Sequence, residues 1–198
     1  MESKSETVIL ICGLSGSGKS VVAKKVAKKL KLRMVHTSGV LKQVISQQEK
    51  NFSKAAMNKG FWESKKGKEF NAMRLKDQSM DKELDKALLQ LIRKGKVVMD
   101  SWTMPWLSNK GIKIWLKVSE KVRAKRLAER DKLSAKEVMK HVRRKENEAR
   151  AVYRKAYGFE FGKDLKPFQL IVDVDKLSLK EVVQKILEFV KEKTSTKA

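Results

Sequence analysis

The sequence predicts an α/β fold in which a parallel sheet is wrapped by helices. Three observations carry that prediction. Short apolar runs alternate with segments of helical period along the whole chain. The first run, Val8-Ile9-Leu10-Ile11, is followed at once by a glycine-rich turn and then by the helical pattern Val21-Val22-x-x-x-Val26-Ala27. No internal repeat or low-complexity segment interrupts the alternation.

Taken in order, the strands are expected at Val8–Cys12, Met34–His36, Lys96–Asp100, Ile112–Val118 and Gln169–Val174, each apolar and short enough for a buried strand. Helices are expected near 18–30, 39–50, 69–94, 119–131, 134–156 and 178–192. Asn51–Lys68, with Gly60 and Gly67 amid lysines, is the expected flexible connector, with Phe61-Trp62 as a packing anchor or a base-stacking pair. Thr194–Ala198 is expected to fray. Two insertions hang on the frame, Ser38–Lys94 after the second strand and Lys132–Phe161 after the fourth. In a parallel sheet both rise from carboxyl ends of strands, beside the glycine-rich turn.

Composition narrows the class. The 198 residues suit one domain and can bury a good core. No apolar run reaches membrane-spanning length, and the opening MESKSE lacks a signal-peptide core, so a soluble, cytoplasmic protein is expected. The single cysteine, Cys12, excludes an internal disulfide and is expected as a small core residue of the first strand. The net charge of +24 favours polyanions as partners. Its lysines are spread over nearly every helix, Lys24, Lys25, Lys28, Lys29 and Lys31 lining the first. They serve either as a solvated face or as a nucleic-acid footprint, and charge alone does not decide between these.

The turn Gly13-Leu14-Ser15-Gly16-Ser17-Gly18-Lys19-Ser20 is a full match to the phosphate-binding loop G-x-x-x-x-G-K-[ST]. Glycines let backbone N–H groups turn inward, and the following helix aims its positive end at the phosphates. Lys19 is expected on the β- and γ-phosphates of ATP and the Ser20 hydroxyl on Mg²⁺. Asp100, ending the third strand, is expected as the second Mg²⁺ anchor. Arg126 and Arg130, four apart on one helix face, open the second insertion, with Arg143, Arg144, Arg150 and Arg154 further along. Guanidinium groups closing over a phosphoryl group stabilise its charge without a general base, and this chain otherwise prefers lysine. Asp81 and Asp85 share one face of a helix, to receive a base or ribose or simply to pair with Lys82 and Lys86. His36 and His141 are isolated, with no third ligand at zinc spacing.

With these residues placed, the chain resembles the nucleoside monophosphate kinases, in particular archaeal-type cytidylate kinase, over nearly its whole length. The loop with Ser20-Val21-Val22-Ala23-Lys24-Lys25 is similar to the family's opening, and His36-Thr37-Ser38-Gly39 to the entry of its monophosphate-binding helix. Glu69-Phe70-Asn71, Asp81-Lys82-Glu83-Leu84-Asp85, Ile114-Trp115-Leu116, Arg143-x-Lys145-Glu146, Tyr153-x-x-x-Tyr157-Gly158 and Leu177-Ser178-x-x-Glu181-Val182-Val183 resemble later family segments. The resemblance implies a P-loop NTPase three-layer α/β/α fold with a five-stranded parallel sheet, a helical NMP-binding insertion and a helical lid. It implies one kinase domain over 1–198, with core 5–37, 95–131 and 162–193, the insertion at 38–94 and the lid at 132–161. The implied reaction is transfer from ATP to CMP or dCMP by a monomer. Gly13, Gly16, Gly18, Lys19 and Ser20 would form the donor site, Arg126 and Arg130 the lid contacts, Arg143 a phosphate clamp, and Ser38 and the Asp81–Asp85 segment the acceptor side.

Two departures fall on the acceptor side. Lys42 stands where the family has an arginine on the acceptor phosphate, and Trp102 where it has a second; Trp106 keeps a family tryptophan. Lysine loses the bidentate grip, and tryptophan supplies no charge. Two other readings therefore stand beside the kinase of CMP. One is an RNA-associated ATPase like the adenylate-kinase-like factor of ribosome assembly. The other is a kinase with a different acceptor, Trp102 and Trp106 shaping an aromatic pocket.

Overall fold

A computed structural model describes residues 7–48 and 65–195. Five strands form one parallel sheet: β1 (Val8–Gly13), β2 (Arg33–His36), β3 (Val97–Asp100), β4 (Ile112–Lys117) and β5 (Leu170–Asp173), in the order β2-β3-β1-β4-β5. β1 is central and fully buried, pairing with β3 from Val8↔Val97 and with β4 from Ile9↔Ile112. Its two neighbours lead away in opposite directions along the chain order, so the loop after β1 opens where the sheet's connections diverge, the place where parallel sheets bind ligands.

The described helices are α1 (Lys19–Leu30), α2 (Thr37–Gln48), α3 (Lys65–Lys76), α4 (Ser79–Arg93), α5 (Met104–Leu107), α6 (Glu120–Asp131), α7 (Ala135–Tyr157) and α8 (Leu179–Ser195). Side chains alternate across the strands and so build two cores. Val8, Leu10, Val97 and Met99 face Phe70, Leu84, Leu88 and Ile92 of α3 and α4. Ile9, Ile11, Val98, Ile114 and Leu116 face Val22 and Val26 of α1 and Val182, Ile186 and Val190 of α8. A third, aromatic cluster packs on the carboxyl-terminal parts of β1 and β4: Trp115, Tyr153, Phe159 and Phe161, with Trp106 stacked on Phe159 at 4.4 Å. Cys12 is buried there as expected, and burial pushes its thiol pKa up.

Several expectations are corrected. The single helix expected over 69–94 is two, broken at Asp77-Gln78. Asp77 accepts from the Ser79 N–H at 2.8 Å, and the Gln78 amide donates to the carbonyls of Arg74 and Leu75, so both new ends are capped. Lys65–Lys68, expected in the connector, is the first turn of α3, while Phe61 and Trp62 lie outside the described residues. Lys96 takes a left-handed φ of 52° after Gly95, which delays β3 to Val97. α5, with Pro105 in its first turn, had no periodic signal in four residues. Thr194 and Ser195 continue α8, the Thr194 hydroxyl donating to the Val190 carbonyl.

Candidate active site

The loop after β1 leads into a helix whose start has no side-chain cap. α1 starts from Gly18 at φ 85°, with no side-chain cap and no acidic residue in its first turn. Such an end carries partial positive charge and unpaired N–H groups. Gly16, at φ 82°, presses against α6: a Cβ there would stand 3.0 Å from Leu127 and 3.3 Å from the Arg123 Cα. A side chain at this position would be strained and would also separate loop from helix.

A buried ion pair that sequence reasoning missed holds the loop in place. Arg123 of α6 and Glu146 of α7 meet at 2.5 Å and are 5% and 2% exposed. The Ser15 N–H donates to Glu146 Oε1 at 3.0 Å, and Arg123 Nε donates to the Ser15 carbonyl at 2.7 Å. Both backbone groups of one loop residue are thus fixed by two helices. The signal was present: Arg123 lies four before Leu127 and Glu146 four after Val142, opposite charges inside two apolar stripes.

At the carboxyl ends of β1 and β3, the Ser20 hydroxyl donates to Asp100 Oδ2 at 2.5 Å, and His36 Nδ1 stands 3.1 Å from the same oxygen. Burial works to raise the Asp100 pKa, but the hydrogen bond from His36, the charge of Lys19 and the bond from Ser20 outweigh it and hold the carboxyl below its usual range. The Asp100 bond raises His36 in turn. A hydroxyl and an ionised carboxylate side by side, both oxygen donors beside the loop, suit a hard cation such as Mg²⁺ that takes its remaining ligands from phosphate and water.

These groups line a cleft of about 550 Å³. Ser15, Gly16, Gly18, Lys19, Ser20, Asp100, Ser38, Trp102, Arg126 and Arg130, all singled out in the sequence, line it together. Gly13, Leu14 and Ser17 do not line it: Ser17 is buried, and its N–H donates to the Leu14 carbonyl at 3.2 Å. Arg126 also donates to the Val174 carbonyl at 3.2 Å, and Arg130 binds Asp131 at 2.7 Å. Arg143 is not brought in: it lies on the exposed side of α7, paired with Glu120. Lys145 faces the cleft instead, its Nζ 5.5 Å from the Trp102 ring. Lys19 Nζ stands 5.5 Å from the same ring, whose Nε1 donates to the Gly13 carbonyl at 3.1 Å. Trp106 stands apart in the aromatic cluster and does not shape the cleft. The Lys42 side chain lies outside the described ones.

The opposite wall is polar and buried. Arg74 lines the cleft and is bound by Asp81 through Nε at 2.9 Å and through Nη2, and by Asn71 at 3.2 Å. Asp81 therefore stands behind Arg74 and does not pair with Lys82. Asp85 does not pair with Lys86: it accepts from the Thr103 hydroxyl at 2.9 Å and from the Tyr157 hydroxyl. Burial raises its pKa to about 6 against those two bonds. Arg74 was missed because a lone arginine carries no spacing signal; Thr37, inside the segment likened to the entry of the monophosphate-binding helix, lines the cleft too, its buried Oγ1 without a hydrogen-bond partner.

The sheet order, the loop after its central strand and the hydroxyl–carboxylate pair define a P-loop kinase. A family model described as the cytidylate kinase-like family matches residues 8–176. The chain is 31% identical over 182 residues to a cytidylate kinase of Ignicoccus hospitalis, covering 91% of this chain and 96% of that one. It is 28% identical to a cytidylate kinase of Pyrococcus horikoshii, covering 88% and 83%. Among solved structures, shikimate kinase from Acinetobacter baumannii in complex with shikimate shares the fold with a TM-score of 0.57 at 14% identity, covering 96% of each chain. The chain belongs to the cytidylate kinase-like family, and its activity is that of a nucleoside monophosphate kinase. No helix among the described residues is long and apolar enough to cross a membrane.

Proposed function

We propose that the chain transfers the γ-phosphoryl group of ATP to CMP or dCMP. The observation that carries the donor half is the uncapped start of α1 opening on a cleft that also holds Lys19 and the Ser20–Asp100 pair. The loop N–H groups and Lys19 would bind the donor phosphates, and Ser20 and Asp100 would hold Mg²⁺, which when bound neutralises charge on the phosphate oxygens. Arg126 and Arg130 would flank the donor, adding charge where the transition state needs it. Arg143 would join only by giving up Glu120 as α7 closes. On the acceptor side, Arg74 held by Asp81, together with Asn71, Thr37 and Ser38, offers donors and acceptors to a pyrimidine monophosphate, with Lys42 and Lys145 as candidate phosphate cations. Catalysis would be positioning and charge stabilisation, with water excluded by closure over the cleft.

The test is ADP formation from ATP and Mg²⁺ with each nucleoside monophosphate in turn, against a control without acceptor. Strong stimulation by CMP or dCMP is expected. Lys19→Ala is expected to abolish turnover while circular dichroism stays native; retained turnover would sink the donor assignment.

Trp102 favours a second reading. It sets an uncharged ring beside Lys19, where an acceptor phosphate would gain from a cation. Slow hydrolysis indifferent to every monophosphate would mark an ATPase that works with RNA, or a kinase with another acceptor.

A further inference from the structure

We propose that the outer face of α1 is a docking surface for the phosphodiester backbone of a nucleic acid. Lys24, Lys25, Lys28 and Lys29 are all exposed and form one continuous stripe, since positions 22, 23, 26 and 27 are buried against the sheet. Lys31, in a left-handed conformation at the helix end, extends it. Among the described residues none of these five lysines has a carboxylate partner, and α1 contains no acidic residue.

The other lysine-rich helices are different. Glu181, Glu188 and Glu192 interleave with the lysines of α8, and Glu137, Glu146 and Glu148 with the cations of α7. On α1 the pairs 24/28 and 25/29 place like charges four residues apart, which weakens a helix. The helix dipole accounts for Lys28 and Lys29 in the last turn but not for Lys24 and Lys25. A polyanion laid along the stripe removes this repulsion.

The composition of the face selects the kind of polyanion. Val21 is its one exposed apolar side chain, too little to insert into a lipid surface. The stripe has no aromatic residue to stack bases and no arginine to fork onto base edges. It fits phosphates alone, so binding is sequence-independent and falls steeply with salt. α1 begins with Lys19 and Ser20, the last two residues of the phosphate loop, so this surface and the proposed ATP site share one rigid element.

The test is fluorescence anisotropy of a labelled 20-nucleotide single-stranded RNA of mixed sequence, titrated from 50 to 300 mM KCl, with a 20-base-pair DNA as a second probe. The variant is Lys24→Gln, Lys25→Gln, Lys28→Gln and Lys29→Gln together. The control removes the same charge across the sheet at Lys76, Lys82, Lys86 and Lys94. Loss of four phosphate contacts is expected to flatten the slope of log Kd against log salt by about 3 on single strands. At 100 mM KCl the α1 variant is expected to bind at least tenfold more weakly than the control variant. Helicity and basal ADP formation should be retained, since glutamine suits a helix as lysine does. Either probe bound with this α1-dependent slope bears the proposal out, and the tighter one names the natural partner. Equal losses in both variants, no binding at 100 mM KCl, or retention only on phosphatidylserine vesicles would each overturn it.

Discussion

Glu146 shows how a residue far from the glycine-rich loop in sequence can hold that loop in place. Its carboxylate accepts from the Ser15 N–H and is also the partner of Arg123, which grips the Ser15 carbonyl. Glu146→Ala would strand a buried guanidinium and free the loop. Removing one partner of a buried pair costs ~3–5 kcal/mol, a large part of a domain's stability. Glu146→Gln should keep an oxygen for the Ser15 N–H and lose mainly the charge. We expect thermal stability to fall in the order wild type, Gln, Ala, and the KM for ATP to rise in the same order. A Glu146→Ala protein as stable as wild type would show that the pair does not hold the loop. Such residues were hard to see in sequence because a charged side chain on a lysine-rich helix passes for surface. Lys19, Ser20 and Asp100 were legible as candidates because the chemistry proposed for them demands fixed spacing or a strand end.

Elements were legible where burial dictated them. β1 and β3 were visible as apolar runs because a strand buried along its whole length can carry little else, whereas the edge strands β2 and β5 bury only Val35 and Val172 and showed as shorter apolar stretches. The break between α3 and α4 was not, since Phe70, Met80, Leu84 and Leu88 keep a helical apolar pattern through it. The break matters: it lets Arg74 and Asp81 face one another, and it sets α4 against α5 and α7 through Asp85. That carboxyl sits between Thr103 and Tyr157, with Asp81 and Arg74 beyond, and burial lifts its pKa to about 6 from 3.8. Between these values the folded chain holds a proton that the unfolded chain has released. This carboxyl's contribution is therefore fully present below about pH 4 and lost as pH rises through 6. The difference is about 3 kcal/mol at 1.36 kcal/mol per unit. Asp85→Asn removes the titration. The stability of wild type relative to the Asn variant is expected to fall as pH rises from 4 to 7, read from melting temperatures at each pH. A gap that stays constant or moves the other way would show that Asp85 is not a strained carboxyl.

At the scale of the whole molecule the dominant quantity is the net charge of +24. Like charge on a compact body repels itself, and unfolding lets it spread. The buried pairs Arg74–Asp81 and Arg123–Glu146 are shielded from salt by the protein around them, whereas the lysines of α1 and its neighbours stand in solvent. Salt should therefore screen the repulsion and leave the buried pairs intact. The screening length shortens from roughly 30 Å at 0.01 M to about 8 Å at 0.15 M, from the width of the protein to the distance between neighbouring lysines. The melting temperature is thus expected to rise between 10 and 150 mM NaCl and then to level off. A gain of about 1–2 kcal/mol in a chain of this size corresponds to roughly 2–8 °C. Exposed ion pairs such as Lys117–Asp173 pull the other way, but each is worth little. A melting temperature that falls with added NaCl would mean that attractive surface pairs outweigh the excess charge, and that the lysines are matched in the folded state instead of waiting for a polyanion.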